Sequence, residues 1–270
     1  MDWNKTKTIF IVVFSVLNVF LYSLYINRHT EAQNVQVMWE TTIEESLQAD
    51  NIKYEQLPDY NEEYFYISAE IATFTGDQLK GFKNQEFDIV DPTHLYSKLK
   101  VPVSLPNKKE NADFKEFLLE YVVDGEEYVL WKVDKERKHA LFFQIVNDDP
   151  IYFNENAMLN VYWDSDGAIT SYDQRMFGEF VNYNKKKDLL APIQAINTLY
   201  SRSYLKPDST VLGMTLGYST RSQLTKRQVF APTWHVRVEL KDGGIEEYFI
   251  NAIEGKIIEF ETEPIIDENE

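Results

Sequence analysis

The stretch Thr8-Ile-Phe-Ile-Val-Val-Phe-Ser-Val-Leu-Asn-Val-Phe-Leu-Tyr-Ser-Leu-Tyr-Ile26 holds 19 residues without a charged side chain. As an α-helix rising about 1.5 Å per residue it spans roughly 28 Å, close to the hydrocarbon thickness of a bilayer. Its β-branched residues suit lipid, where only a helix satisfies every backbone group. A cleaved signal peptide has a shorter apolar core, about 7–15 residues, ending at a small-x-small site. Here the run ends in Tyr25-Ile-Asn-Arg-His29, and Thr30-Glu31-Ala32 comes several residues too late. The expectation is a transmembrane anchor over 8–26. Lys5 and Lys7 precede it, only Arg28 follows closely, and the next basic residue is Lys53. This charge bias places residues 1–7 in the cytoplasm and the bulk of the chain outside.

One side of the expected helix is polar. Ser15, Asn18, Tyr22 and Tyr25 are spaced three, four and three apart and fall on one stripe. An amide near mid-membrane gains about 0.5–2 kcal/mol from a partner helix that accepts its hydrogen bonds. The stripe is therefore a candidate partner-binding surface. In the competing reading Asn18 is merely tolerated, and Tyr22 and Tyr25 belong to the interfacial aromatic belt.

The remainder is rich enough in apolar material to fold, with 44% hydrophobic and 14% aromatic residues over the whole chain. Phe and Tyr, 17 each, outnumber Pro at 9 and Gly at 10, which favours sheet with compact turns. A helix is expected over 41–50, then a strand over Tyr64–Phe74. Asp91-Pro92 and the Pro102–Pro106 stretch suggest a loop-rich region. A helix capped by Asp113 and Glu116 presents Phe114, Phe117, Leu118, Tyr121 and Val122 on one face. Strands are expected at Glu127–Val133, Ala140–Val146, Leu159–Asp164 and Ala168–Arg175, the last two joined at Asp166-Gly167. A third helix covers 186–203, with a start as late as Ala191 because Pro192 suits a first turn. Four more strands follow, at Val211–Tyr218, Gln228–Leu240, Gly244–Asn251 and Lys256–Glu261.

Both halves thus read as a helix followed by antiparallel strands. The expected fold is α+β: a transmembrane helix, a stalk at 27–36, and two extracytoplasmic domains of antiparallel sheet with packed helices. These run over 37–150 and 151–263, before an acidic tail at 264–270.

Little in the sequence points to chemistry. A net charge of −17 disfavours nucleic acid, whose binding needs Lys and Arg. The absence of cysteine removes disulfides, thiolate catalysis and thiolate-bound zinc. His29, His94, His139 and His235 are never three or four apart, so no helical metal pair exists. His235, in Thr233-Trp-His-Val-Arg-Val238, reads as a sheet-face residue. Asp164-Ser-Asp-Gly167 departs from a calcium loop at Ala168 and Arg175 and reads as a turn. No phosphate loop or nucleophile elbow is present. Pairs such as Glu126-Glu127 point to opposite faces of a strand, poor geometry for shared acid–base work. The tryptophan-bearing segments Tyr128–Val133 and Pro232–Val238 read as core. The expectation is no enzyme, no cofactor and no metal.

Three segments carry a resemblance. Met1-Asp-Trp-Asn-Lys-Thr-Lys-Thr-Ile-Phe10, Asn147-Asp-Asp-Pro-Ile-Tyr-Phe153 and Pro232-Thr-Trp-His-Val236, in that order, resemble the YycH/YycI family of low-GC Gram-positive bacteria. The resemblance spans essentially the whole chain, and the N-terminal decapeptide is its most specific part. It implies a membrane-anchored auxiliary regulator that associates with a YycH-type companion. Its target is then the WalK (YycG) sensor histidine kinase of the cell-wall two-component system. It implies no catalytic residue. Residues Pro232–Ile258 are distantly similar to PepSY-type modules. The alternative is an extracytoplasmic sensor that binds a cell-wall component. A wall hydrolase would require a cleft with paired carboxylates.

Overall fold

Strand alternation and two long-range crossovers set the architecture of this computed structural model. It describes residues 3, 7, 10–22, 43–61, 63–104 and 114–260. An N-terminal helix covers 10–22. Helix α1 (43–49) leads into β1 (Lys53–Tyr54) and β2 (Glu63–Glu70). The short α2 (Gly76–Leu79) precedes the hairpin β3 (Gln85–Asp91) and β4 (His94–Ser104). Helix α3 (Lys115–Tyr121) is followed by β5 (Tyr128–Asp134), β6 (His139–Val146) and β7 (Asp149–Pro150). Then come β8 (Met158–Trp163), β9 (Ala168–Gln174), β10 (Val181–Asp188) and α4 (Pro192–Ser201). The chain closes with β11 (Thr210–Ser219), β12 (Arg227–Glu239), β13 (Ile245–Asn251) and β14 (Ile257–Ile258).

The strands form two seven-stranded sheets. One has the order β3-β4-β9-β8-β6-β5, with β7 on β6, and every pair is antiparallel. The other has the order β1-β11-β12-β13-β14, with β2 bridging β12 and β10. Only β1–β11 is parallel among its described pairs. The fold is α+β with antiparallel-dominated sheets and few helices. The expected division near 150 does not coincide with the partition of the strands. Strands β8 and β9 pair with those of the first half, while β2 pairs with β12 through Glu70↔Arg227 to Ile67↔Phe230.

Helix α3 packs Phe114, Phe117 and Leu118 on one face of the β3–β9 sheet, against Leu95, Phe142, Leu159, Val161 and Tyr172. Helices α1 and α4 cover the other sheet, placing Leu47, Ile196 and Leu199 on Trp234, Val236 and Ile250. Each such buried large apolar side chain contributes about 1.5–3 kcal/mol. Strand β6 is buried on both faces, with Phe142 in the α3 core and Leu141 and Phe143 in an aromatic cluster on the opposite side.

Two local expectations are corrected. As far as Ser104 the proline-containing stretch is not loop but the β3–β4 hairpin, while Leu105 and Pro106 lie outside the described residues. Asp91-Pro92 supplies its turn, where the Thr93 N–H donates to the Asp91 carboxylate at 2.7 Å. Pro102, which lacks an N–H, falls where the β4–β9 register shifts between Lys98 and Val103. The third helix starts at Pro192 rather than 186, because Lys186–Asp188 belong to β10, paired with β2 through Lys187↔Tyr64 and Asp188↔Glu63. Asp113 lies outside the described residues, so the expected cap of α3 does too.

The described N-terminal helix is shorter than the expected span. Among the described residues, no helix is long and apolar enough to cross a membrane. Thr8, Ile9 and residues 23–26 lie outside them.

Candidate functional site

Ser15, Asn18 and Tyr22 all lie on the helix 10–22, and all are exposed. Helical periodicity therefore aligns the three along one side, while Tyr25 lies outside the described residues. The apolar neighbours are exposed as well: Phe10, Ile11, Val12, Val13, Phe14, Val16, Leu17, Val19, Phe20 and Leu21. This helix is apolar nearly all round, with no apolar face turned inward.

A second region is the junction of the two sheets. Trp131 of β5 packs against Phe143, Tyr152, Phe153 and Phe249, with ring centroids 4.9–6.2 Å apart. His235, expected on a sheet face, points from β12 into this cluster and is 5% exposed. Its ring stacks on Phe249 at 4.8 Å, and Nδ1 lies 3.2 Å from Thr215 Oγ1. Nε2 has no hydrogen-bond partner among the described residues and sits 3.8 Å from the Glu247 carboxylate.

Asp149 closes the junction from the other side. The Tyr64 hydroxyl of β2 donates to its carboxylate at 2.7 Å, linking β2 to β7 across the sheets. Burial pushes the Asp149 carboxyl from 3.8 up to about 6, against the Tyr64 hydrogen bond, which pulls it down; the neighbouring Asp148 adds to the rise. In the unfolded chain this group ionises near 4. Between about pH 4 and pH 6 the folded state keeps a proton that the unfolded state loses, so stability falls as pH rises through this window and stays lowered above it. Asp149→Asn keeps an acceptor for Tyr64 and removes the buried charge. It is expected to stabilise the protein at pH 7.5 by about 1 kcal/mol, allowing for solvent screening, and to give no gain near pH 4. Thermal melts of both proteins across pH 4–8 check this; an equal offset at every pH would show that the carboxyl's charge is not the cause.

A third region is an open cleft of about 830 Å³. Its floor is the second face of the β3–β9 sheet, beyond the edge of the aromatic cluster. Met158 and Asn160 of β8, with Asp173 of β9 and Arg175 just after it, line it. Facing them are Ile257 and Ile258 of β14, then Glu259 and Phe260, and the loop carrying Arg221 and Gln223. A hydrogen-bonded row crosses the floor. His139 Nε2 meets Asn160 Oδ1 at 2.8 Å, and Asn160 Nδ2 donates to Asp173 at 3.1 Å. The Tyr162 hydroxyl donates to the other oxygen of Asp173 at 3.0 Å. His94 Nε2 stands 3.7 Å from Asp173. Arg175 lies 3.7 Å from Asp91, whose carboxyl is held below its usual value chiefly by the Thr93 hydroxyl. Among the described residues, no group of three or more metal-ligating side chains is placed to hold an ion.

The model of the YycI protein family matches residues 30–253. The chain belongs to the YycI family. YycI proteins are regulatory rather than catalytic and, as a family, act on the YycG/WalK system. No curated protein matches the chain. Among solved structures, an uncharacterized protein from Eubacterium rectale is 11% identical with a TM-score of 0.48, covering 78% of this chain and 91% of its own. YycH from Bacillus subtilis is 11% identical with a TM-score of 0.38; 72% of this chain aligns with 51% of that one, so this chain spans about half its length. The C-terminal domain of Bacillus megaterium YpeB is 14% identical with a TM-score of 0.40, covering 81% and 94%.

Of the three regions in this YycI chain, only the helical stripe was singled out by sequence. The cleft residues had a faint signal. Met158, Asn160 and Tyr162, like Ser171, Asp173 and Arg175, occupy alternate positions opposite the buried Leu159, Val161 and Tyr172.

Proposed function

We propose that this chain is a membrane-anchored auxiliary regulator. It associates with a YycH-type companion and modulates the WalK (YycG) sensor histidine kinase of the cell-wall two-component system. The match to the YycI family over 30–253 carries this reading. The exposed apolar helix supports its membrane half. Ten large apolar side chains from Phe10 to Leu21 have no partner in water and every reason to enter lipid. The residues beyond the helix then lie outside the cell, and Ser15, Asn18, Tyr22 and Tyr25 meet a partner helix.

The test uses full-length chain in native membranes with both partners present. The chain is expected to resist carbonate extraction, and removal of 8–26 to release it. Asn18→Leu is expected to lower kinase recovery on co-purification by about threefold or more, as loss of an interhelical hydrogen bond would. A full-length chain freed by carbonate sinks the membrane reading. Undiminished recovery with Asn18→Leu sinks the helix contact.

The second reading, a sensor that binds a cell-wall component, is favoured by one observation. The cleft combines Phe153 and Phe260 with the convergent polar groups Asn160, Asp173 and Arg175.

A further inference from the structure

Ile257 and Ile258 are consecutive strand residues, so their side chains point to opposite faces of their sheet. Both nevertheless line the cleft. The cleft therefore borders β14 along its edge, not on a face. On the floor the pattern is the reverse: Asn160 and Tyr162 on β8 share one face, as do Asp173 and Arg175 on the β9 side. The open space lies between the edge of one sheet and the face of the other. Among the described residues β14 pairs only with β13 and ends its sheet. Its outer edge is a template for one more strand.

The charges of the cleft are unequal in effect. Glu155, Asp173 and Glu259 line it, as do Arg175 and Arg221. Arg175 lies 3.7 Å from Asp91, an acid outside the cleft, which leaves the three lining acids opposed within it chiefly by Arg221. Asp173 accepts hydrogen bonds from the neutral donors Asn160 and Tyr162, with His94 Nε2 3.7 Å away, and its carboxylate lines the cleft. The whole chain, at −17, adds an attraction for cations. Ile257, Ile258, Phe153 and Phe260 offer apolar surface between these groups.

We propose that this cleft is a docking groove for an extended, basic segment of a partner polypeptide, which pairs with the edge of β14 and directs Lys or Arg side chains to Asp173 and Glu155. The inference rests on the cleft alone and holds whether or not the helix contacts the kinase. The chain's own residues 261–270 are a poor occupant. They contain five acids, Glu261, Glu263, Asp267, Glu268 and Glu270, and no base. A neutral sugar gains little from the acid excess and does not match the repeat of a strand edge.

The test uses full-length protein in lipid nanodiscs. The probes are an acetylated, amidated peptide alternating lysine and valine, its glutamate–valine counterpart, and chitohexaose. The lysine peptide is expected to bind at least about tenfold more tightly than either other probe and to slow amide exchange at 257–260. Asp173→Asn is expected to weaken it about tenfold. Because Asp173 also orders its neighbours, the exposed Glu155→Gln serves as a second variant, expected to weaken binding about threefold with an unchanged melting temperature. Equal binding of the two peptides, tighter binding of chitohexaose, or protection away from β14 would overturn the proposal. So would lysine-peptide binding that appears only after removal of 261–270, since the chain's own tail would then be the occupant.

Discussion

Trp234→Ala is expected to lower stability by about 3–5 kcal/mol, the upper range for a single substitution. Trp234 is 1% exposed in the core that α1 and α4 build on β12. Two effects add. The indole leaves a cavity among packed side chains and removes the edge-on ring contact with Tyr60 at 6.2 Å. Its Nε1 also donates to the Leu190 carbonyl at 2.8 Å, and the Leu190 N–H in turn donates to Ala252. That chain of bonds fixes the segment entering α4. Trp234→Phe keeps most of the volume and deletes only the donor, so it is expected to cost about 1–3 kcal/mol. Denaturant unfolding of the two variants, followed by far-UV circular dichroism, separates packing from hydrogen bonding. Were the alanine variant to lose less than about 1 kcal/mol, α4 would be docked by other contacts.

The parts of this fold that were legible in the sequence are those with local causes. Asp166-Gly167 announces the β8–β9 hairpin because its turn needs a positive φ, and Gly167 has φ 75°. Ile43 and Leu47, four apart, mark the buried side of α1. Ser15, Asn18 and Tyr22 fall on one side for the same reason. What the sequence hid depends on distant partners. Residues 181–188, Val-Asn-Tyr-Asn-Lys-Lys-Lys-Asp, are exposed throughout and show no alternation. They are a strand only because β2, more than a hundred residues earlier, offers an edge. Lysines on such an edge also deter pairing with other chains. Strand β6, expected as a strand over Ala140–Val146, reads as one apolar run because both its faces are covered, which hides only which side chains share a face. The cleft as a whole was hidden for a related reason, although the alternation of β8 and β9 marked its floor. Its floor comes from β8 and β9, its far wall from β14, and no short window contains both.

The two sheets also approach closely at one glycine, and Gly217→Ala is expected to cost about 2–3 kcal/mol. A Cβ at Gly217 of β11 would lie 2.4 Å from the Tyr152 ring and 2.6 Å from the Pro150 carbonyl oxygen. The closeness is structural. The Tyr152 N–H donates to the Tyr218 carbonyl at 2.8 Å, and Ile151 forms a parallel bridge with Tyr218. The chain leaving β7 is thereby pressed onto β11. The Tyr152 hydroxyl, 3.2 Å from Thr215 Oγ1, completes the seat. The ring has little room to retreat, since Trp131, Phe143 and Phe249 surround it. The same strand supplies a control. An added Cβ at Gly213 meets nothing within 4 Å, so Gly213→Ala is expected to be neutral within about 0.5 kcal/mol. Gly217→Ala should also weaken near-ultraviolet dichroism from the aromatic cluster and speed amide exchange at Tyr152, neither of which Gly213→Ala changes. If both variants melt together with the parent, the sheets are not joined through this approach. If only Gly217→Ala falls, the close approach of the Tyr152 segment to β11 is part of what joins the two sheets.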